Sequence, residues 1–568
     1  MTKKISVLEV VLVLIFFISL TLALTIFFPQ PYNFFGIIDS ASSNDGEADY
    51  FANVVATYMN GYPLNFHHPG IPVTYFSALL ISIFKNINSV EGILLLCRGG
   101  LLFLNLLLIY LGSRILLKQN ISSFFILLII LFCFPASFIL LDQLGPDSIL
   151  FGLGILIISL GYRLNEKFSY TQLSLFSITI GLAISIKFSS LIFFLPYIFS
   201  LLFVKNNIFF LKALTVLATC SIITICVICW SILPFFPFVL TQFEIFEILI
   251  NFKASEYFFL LPLASLIIIL MSIFIINKLL KMALSPIIAY TYMSGFILSL
   301  GLIYSIFLFF ITSSFHELGI VGKNMIPIMA LSVVFLNKVQ TTKFYYFNNL
   351  YILFSIFILC LFVKIISNNS ISTIASKEDQ DFSRFVDQVA MANDYVVFYP
   401  ASISPSEEYF LAWSDYRYGD ISKSFFEERA QIPFVINDSL NKIRFLNSRF
   451  FDLSNFKDKN AYLYFNFIKN SKFFSKSHKN IASKQISLLS PKDLCSNLFQ
   501  DYNQKQSFTI IFPASLNTYS SENDSKESDF AINYITKLRN KMSEQCNLKT
   551  QISKTLYKDQ KLYLLTKK

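Results

Sequence analysis

Residues 99–117 read GGLLFLNLLLIYLGSRILL, nineteen positions with a single charge, Arg114. A helix needs ~20 mostly apolar residues to cross a bilayer, and comparable windows recur along two thirds of the chain. We read crossings at 7–28, 99–117, 121–141, 148–162, 173–186, 189–204, 213–233, 257–276, 286–311, 326–336 and 350–366, about eleven in all. The composition agrees: 55% of the 568 residues are hydrophobic and the mean hydropathy is +0.61. Those values exclude an ordinary soluble domain and define a multi-spanning membrane protein. The first segment has a basic start but is too long for a signal peptide and lacks a small-residue cleavage site, so it reads as a retained helix.

A net charge of +10 would be compatible with nucleic acid, but the placement of the charges argues against that partner. Lys3, Lys4, Arg114, Lys118, Arg163, Lys167, Lys205, Lys212, Lys278, Lys281, Lys338 and Lys343 collect in alternate short loops. The intervening loops hold Asp39, Asp45, Glu47, Asp49, Glu91, Asp142, Asp147, Glu244, Glu247, Glu256 and Glu317. Short basic loops stay cytoplasmic. The expected topology has a cytoplasmic N-terminus and, after an odd number of crossings, an extracytoplasmic C-terminus in the plasma (inner) membrane.

Composition changes after Ser367. Residues 1–367 are expected to form the membrane core, with a first outer loop at 30–97, and 368–568 a separate extracytoplasmic α/β domain of unassigned role. In that domain we expect strands at 395–399, 433–436, 461–467, 508–512 and 561–565, and helices at 379–391, 405–413 and 529–542. It contains no GxGxxG, P-loop, zinc signature or catalytic Ser or Cys motif. Six cysteines (Cys97, Cys133, Cys220, Cys226, Cys229, Cys360) lie in or beside apolar segments and read as small hydrophobes. Cys495 and Cys546 fall in the polar region and are a disulfide candidate if it lies outside the membrane.

Chemistry concentrates in the first outer loop. Asp45-Gly-Glu-Ala-Asp49-Tyr50 precedes His67-His68-Pro-Gly-Ile-Pro72. We expect a short helix at 48–59, N-capped by Asn44 or Asp45, and an interfacial helix at 71–84. On a helix Asp45 and Asp49 would share a face, and a helix N-terminus favours their ionised form. An ionised carboxylate at the membrane surface can accept a proton as a general base. The bland alternative is an acidic, capped helix start. Asp147, with Asp142 nearby, opens a later helix at the same face, where capping is again the bland reading. His67 and His68 make either a rigid turn or part of a metal site, though adjacency without a third spaced ligand is weak evidence. Arg98, Lys187, Lys323 and Lys85 sit at the outer ends of apolar segments against the charge bias. Together they suggest a pocket for an anionic headgroup such as a lipid phosphate.

In order and sidedness these features resemble the GT-C glycosyltransferases, and in particular the bacterial relatives of protein O-mannosyltransferases and aminoarabinose transferases. The matching stretches are Asp45-Gly-Glu47-Ala-Asp49-Tyr50, His68-Pro-Gly-Ile-Pro-Val-Thr-Tyr75, Arg98, Asp147, Ser185-Ile-Lys187-Phe and Lys323-Asn-Met-Ile-Pro327. The resemblance covers 1 to about 366. It implies a mainly α, polytopic bundle that moves a sugar from a polyprenyl-phosphate donor to a lipid, glycan or protein acceptor at the outer face, with inversion. The acidic pair of that family is adjacent in many members but is separated by Gly46 here, leaving Asp45, Glu47 and Asp49 all as candidates for the base. No cofactor follows from the residues, and a divalent metal is left open. A transporter or flippase for an anionic or lipid-linked substrate, and a non-catalytic receptor, are the rival classes.

Overall fold

The computed structural model describes residues 7–27, 47–63, 70–117, 144–187, 190, 193–201, 207–231, 233–235, 290, 358, 395–398, 425, 443–445, 456–489, 508–512, 540, 543–544, 548–552 and 563–567. The helices of the core are α1 (Val7–Leu22, prolonged by a π turn over Ala23–Phe27), α2 (Glu47–Asn60), α3 (Ile71–Ile83), α4 (Val90–Leu117), α5 (Asp147–Glu166), α6 (Tyr170–Ile186), α7 (Leu195–Leu201) and α8 (Asn207–Ile228). Among the described residues three stretches are long and apolar enough to cross a membrane: Val90–Ile115, Ser148–Glu166 and Ile208–Ile228. Segments 121–141, 257–276, 286–311, 326–336 and 350–366 lie almost wholly outside the described residues.

Small residues set the helix packing, as expected where lipid removes the hydrophobic drive between helices. A Cβ at Gly152 of α5 would meet Asn105 of α4, and one at Gly112 of α4 would meet Ile155 and Leu156. Both pairings ascend along both helices, so α4 and α5 run parallel. Parallel neighbours need a return passage between them, and 118–143 is the sequence available for it. Gly181 of α6 packs on Ser221 and Thr224 of α8 in the same parallel sense, and the Ser221 hydroxyl donates to the Ser177 carbonyl at 2.8 Å. A turn of three residues joins α5 to α6, which run antiparallel, with Gly161 against Phe176.

These directions sort the charges. One end of the bundle holds Arg114 of α4, Arg163 of α5, Lys167 of the turn between α5 and α6, and Lys212 of α8. The other holds the starts of α4 and α5, the ends of α6 and α8, and α2 and α3.

The structure revises the expected crossing at 99–117. The fourth helix starts at Val90, not 99, capped by Ser89, whose hydroxyl accepts from the Gly92 N–H at 3.0 Å, with Glu91 in its first turn. Its 28 residues extend ~42 Å, beyond the ~30 Å hydrocarbon layer. Residues 90–97, assigned to the outer loop, are therefore helix. Elsewhere Lys212, expected in a loop, lies on the exposed side of α8, and the described helix within 189–204 is the short α7.

In the C-terminal region five strands form one sheet, in the order β2-β1-β3-β5-β4. They are β1 (Tyr395–Phe398), β2 (Ile443–Phe445), β3 (Phe508–Phe512), β4 (Leu548–Ile552) and β5 (Tyr563–Lys567). The β1 strand pairs parallel with β2 and β3, while β5 pairs antiparallel with β3 and β4. Residues 461–467, expected as a strand, are instead the middle of α9 (Phe456–Asn470), which packs on α10 (Lys476–Leu489). Burial at Phe465 and Ile468 follows helical spacing and meets Ile481, Ala482 and Ile486 of α10; this pairing overrides the β-propensity of the aromatic run. The expected strand 433–436 and helices 379–391 and 405–413 lie outside the described residues, as does nearly all of 529–542.

Candidate functional site

Tyr50, in the second turn of α2, is buried at the meeting point of three helix starts. A Cβ on Gly70, the N-cap of α3, would lie 3.6 Å from the Tyr50 ring and 3.4 Å from Pro146, and one on Gly145 would lie 3.6 Å from the same ring. Pro146 is the N-cap of α5. The N-termini of α2, α3 and α5 thus converge on one side chain. Each helix N-terminus carries roughly half a positive charge, and such ends accommodate negative charge.

Local sequence explains the convergence. Gly70 adopts φ 105°, a left-handed conformation that costs a side chain little-populated geometry, and Pro72 follows in the first turn of α3. The Gly70 carbonyl then accepts from the Thr74 N–H at 2.9 Å and its hydroxyl at 3.1 Å. At α5 the Ser148 hydroxyl donates to the Gly145 carbonyl at 2.7 Å.

Of the expected acids, Glu47 and Asp49 occupy the first turn of α2, which starts one residue earlier than expected. Asp147 is the first residue of α5; its predecessor Pro146 holds the capping position and no side chain caps that helix. Asp45, Asp142, His67, His68 and Lys323 lie outside the described residues, as do Cys495 and Cys546. Among the described residues, Cys97, Cys220, Cys226 and Cys229 are not joined in disulfides. Among the described residues no group of three or more His, Cys, Asp or Glu is placed to hold a metal ion.

The basic candidates separate by environment. Lys85, just past α3, is exposed, and Lys187 is half-buried at the C-cap of α6. Arg98 was expected at the outer end of an apolar segment, in a pocket for an anionic headgroup. Its side chain is 1% exposed, eight residues and ~12 Å into α4, and engaged with its surroundings. Its neighbours along the helix fix its place: Gly99 packs on Thr21 and Thr25 of the α1 end, and Gly100 on Phe76 and Leu80 of α3. A buried cation acts through a lower dielectric, and so over a longer range, than a solvated one.

Two residues were not foreseen. Tyr50 was quoted only as the end of the acidic run. Asn105 lies in an apolar, Leu-rich stretch of α4; its Oδ1 accepts from the Gly152 N–H at 2.7 Å, while its buried Nδ2 has no partner among the described residues. A lone amide in a membrane run is itself a signal. Beyond α2, burial pushes the Tyr62 phenol above its ordinary value of 10.0, so it stays a neutral hydrogen-bonding group at physiological pH.

No known family profile matches the chain, and no curated protein does. Among solved structures it is similar to ArnT from Cupriavidus metallidurans bound to undecaprenyl phosphate, at 10% identity over 99% of this chain and 98% of that one, with a TM-score of 0.38. The apo form of that protein gives 10% identity, 97% of each chain and a TM-score of 0.36. The Archaeoglobus fulgidus oligosaccharyltransferase in its apo form gives 13% identity, 89% of this chain, 69% of that one and a TM-score of 0.35. Likenesses of that size do not carry a functional reading, which rests on the chain's own residues.

Proposed function

We propose that the protein is a membrane glycosyltransferase of the GT-C kind, moving a sugar from a polyprenyl-phosphate donor to an acceptor hydroxyl at the outer face of the plasma membrane. The observation that carries this reading is the meeting of three helix N-termini at Tyr50, two of them bearing the acids Glu47, Asp49 and Asp147. That field favours ionised carboxylates, the form a base requires. It would also favour a phosphate brought to the same place.

In this mechanism one of Asp45, Glu47 and Asp49 takes the proton of the acceptor hydroxyl. The acceptor oxygen attacks the anomeric carbon as the bond from that carbon to the phosphate oxygen breaks, and a single displacement inverts the centre. The polyprenyl phosphate leaves with an added negative charge, which Arg98, Lys187 and Lys323 stabilise. Arg98 acts from within the protein, whereas exposed Lys85 contributes only screened, long-range attraction.

The orientation follows from the charged ends of the bundle. Arg114, Arg163, Lys167 and Lys212 define the cytoplasmic end under the positive-inside rule, which leaves the Tyr50 site outside. In this reading residues 368–568 form an extracytoplasmic domain on that face.

The test is release of polyprenyl phosphate from membranes containing the protein when acceptor extract is added. Acceptor-dependent release that falls several-fold in Lys187→Gln supports the proposal. Absence of release with any envelope extract, from protein that is folded and membrane-inserted, refutes it.

A further inference from the structure

The α9–α10 hairpin is joined to the bundle at the end of α8. His478 Nε2 lies 3.2 Å from the Trp230 carbonyl and donates to it, and its Nδ1 lies 3.0 Å from the Ser475 hydroxyl. The Tyr464 hydroxyl donates to the Pro234 carbonyl. An apolar cluster of Phe465, Ile468, Ile481 and Ala482 closes over Cys229 of the α8 end and Ile71 of α3. The hairpin is therefore fixed at the depth where a membrane crossing ends.

That depth is marked by Trp230. Ile223, Val227 and Trp230 follow one another at helical spacing and are all more than half exposed, the pattern of a lipid-facing stripe ending in an interfacial tryptophan. From Trp230 an aromatic ridge continues onto the hairpin. The Trp230 and His478 rings are 6.4 Å apart, His478 and Phe474 6.4 Å, and Phe474 and Phe467 6.1 Å. At its far side Phe467 is 58% exposed, and Phe473, in the turn, is 95% exposed. A soluble hairpin has no reason to present two phenylalanines to water.

Charge identifies what covers them. Lys469, Lys472 and Lys476 are exposed around the same turn and Lys479 is half-exposed. Over Phe456–Leu489 there are seven lysines and one acid, Asp458. Exposed aromatics ringed by lysines, continuous with the lipid-facing stripe of a crossing helix, match an anionic bilayer surface.

We propose that the α9–α10 hairpin is a membrane-surface anchor that sets Phe467 and Phe473 into the headgroup layer beside α8, with its lysines on anionic lipid. It fixes the C-terminal region to the leaflet at the end of the bundle where α2 and α3 lie. The anchor does not depend on the catalytic reading: it requires only that α8 crosses the membrane.

The experiment places a photoreactive benzophenone side chain at position 473 of the full-length protein, in nanodiscs of phosphatidylglycerol or of phosphatidylcholine alone. We expect lipid adducts in both, several-fold more with phosphatidylglycerol, and loss of that excess in Lys472→Glu/Lys476→Glu. Absence of lipid adducts, adducts to protein only, or equal yields in the two lipids would overturn the proposal. Amide exchange of the unaltered protein gives a second reading free of folding artefacts. Exchange over 471–479 should be slower in phosphatidylglycerol discs, and the same rate in both contradicts the anchor.

Discussion

Gly152→Ala tests the packing that holds the site together. The new Cβ would stand 2.5 Å from Asn105 Oδ1, 2.7 Å from the Asn105 backbone oxygen and 2.9 Å from Leu108 Cβ. Ordinary contacts lie at ~3.5–4.0 Å, so α4 and α5 must part by about 1 Å. The backbone oxygen cannot swing aside as a side-chain end would. Separation weakens the Gly152–Asn105 hydrogen bond, worth ~0.6 kcal/mol on average between membrane helices, and overpacking costs roughly 1–3 kcal/mol. The helix preference of Ala over Gly returns at most about 1 kcal/mol. The net is a loss of roughly 1–3 kcal/mol. Gly145→Ala is the comparator: its Cβ meets the Tyr50 ring at 3.6 Å, an ordinary contact, and should be nearly neutral. Steric-trapping unfolding in matched detergent measures both. If Gly152→Ala is as stable as the parent, the close parallel approach of α4 and α5 is wrong.

Three further outcomes are expected. Gly70→Ala has room for its Cβ but must hold φ 105°, a strain of about 1–3 kcal/mol; thermal melting should show the loss, and sugar transfer should fall more than in Gly61→Ala, at a turn away from Tyr50. In an oxidising compartment Cys495 and Cys546 should pair and stabilise their domain by ~4 kcal/mol in the chain-entropy account; full thiol labelling of both without reductant contradicts this. Reporter fusions should place Lys167 in the cytoplasm and Lys568 outside, and a cytoplasmic signal at Lys568 would overturn the orientation.

Apolar length was the legible signal in the core. The interfacial helix was expected at 71–84 and is observed at Ile71–Ile83; the α5, α6 and α8 helices lie within a few residues of expected crossings. The start of α4 was missed because Arg98 reads as the edge of an apolar window. A cation buried by tertiary packing looks, in sequence, the same as one at a border. In the sheet the three interior strands β1, β3 and β5 were legible as apolar runs, although β5 begins two residues later than expected. The two edge strands were not: β2 has three residues and β4 reads Leu-Lys-Thr-Gln-Ile, polar enough to pass for loop. At the candidate site the sequence presented the acids as a cluster. It did not show that the starts of α2, α3 and α5 meet at Tyr50, because glycine contacts between remote segments leave no local pattern.

The most direct test of the central claim is sugar transfer by the amide variants Asp45→Asn, Glu47→Gln and Asp49→Asn in membranes holding equal amounts of protein. Each keeps shape and much of the capping capacity while removing basicity. Loss of a general base lowers rate by roughly 10²- to 10⁴-fold, whereas loss of a cap costs only ~1 kcal/mol of stability. The account predicts that at least one variant loses transfer by that factor at normal membrane abundance; near-full transfer by all three would contradict it.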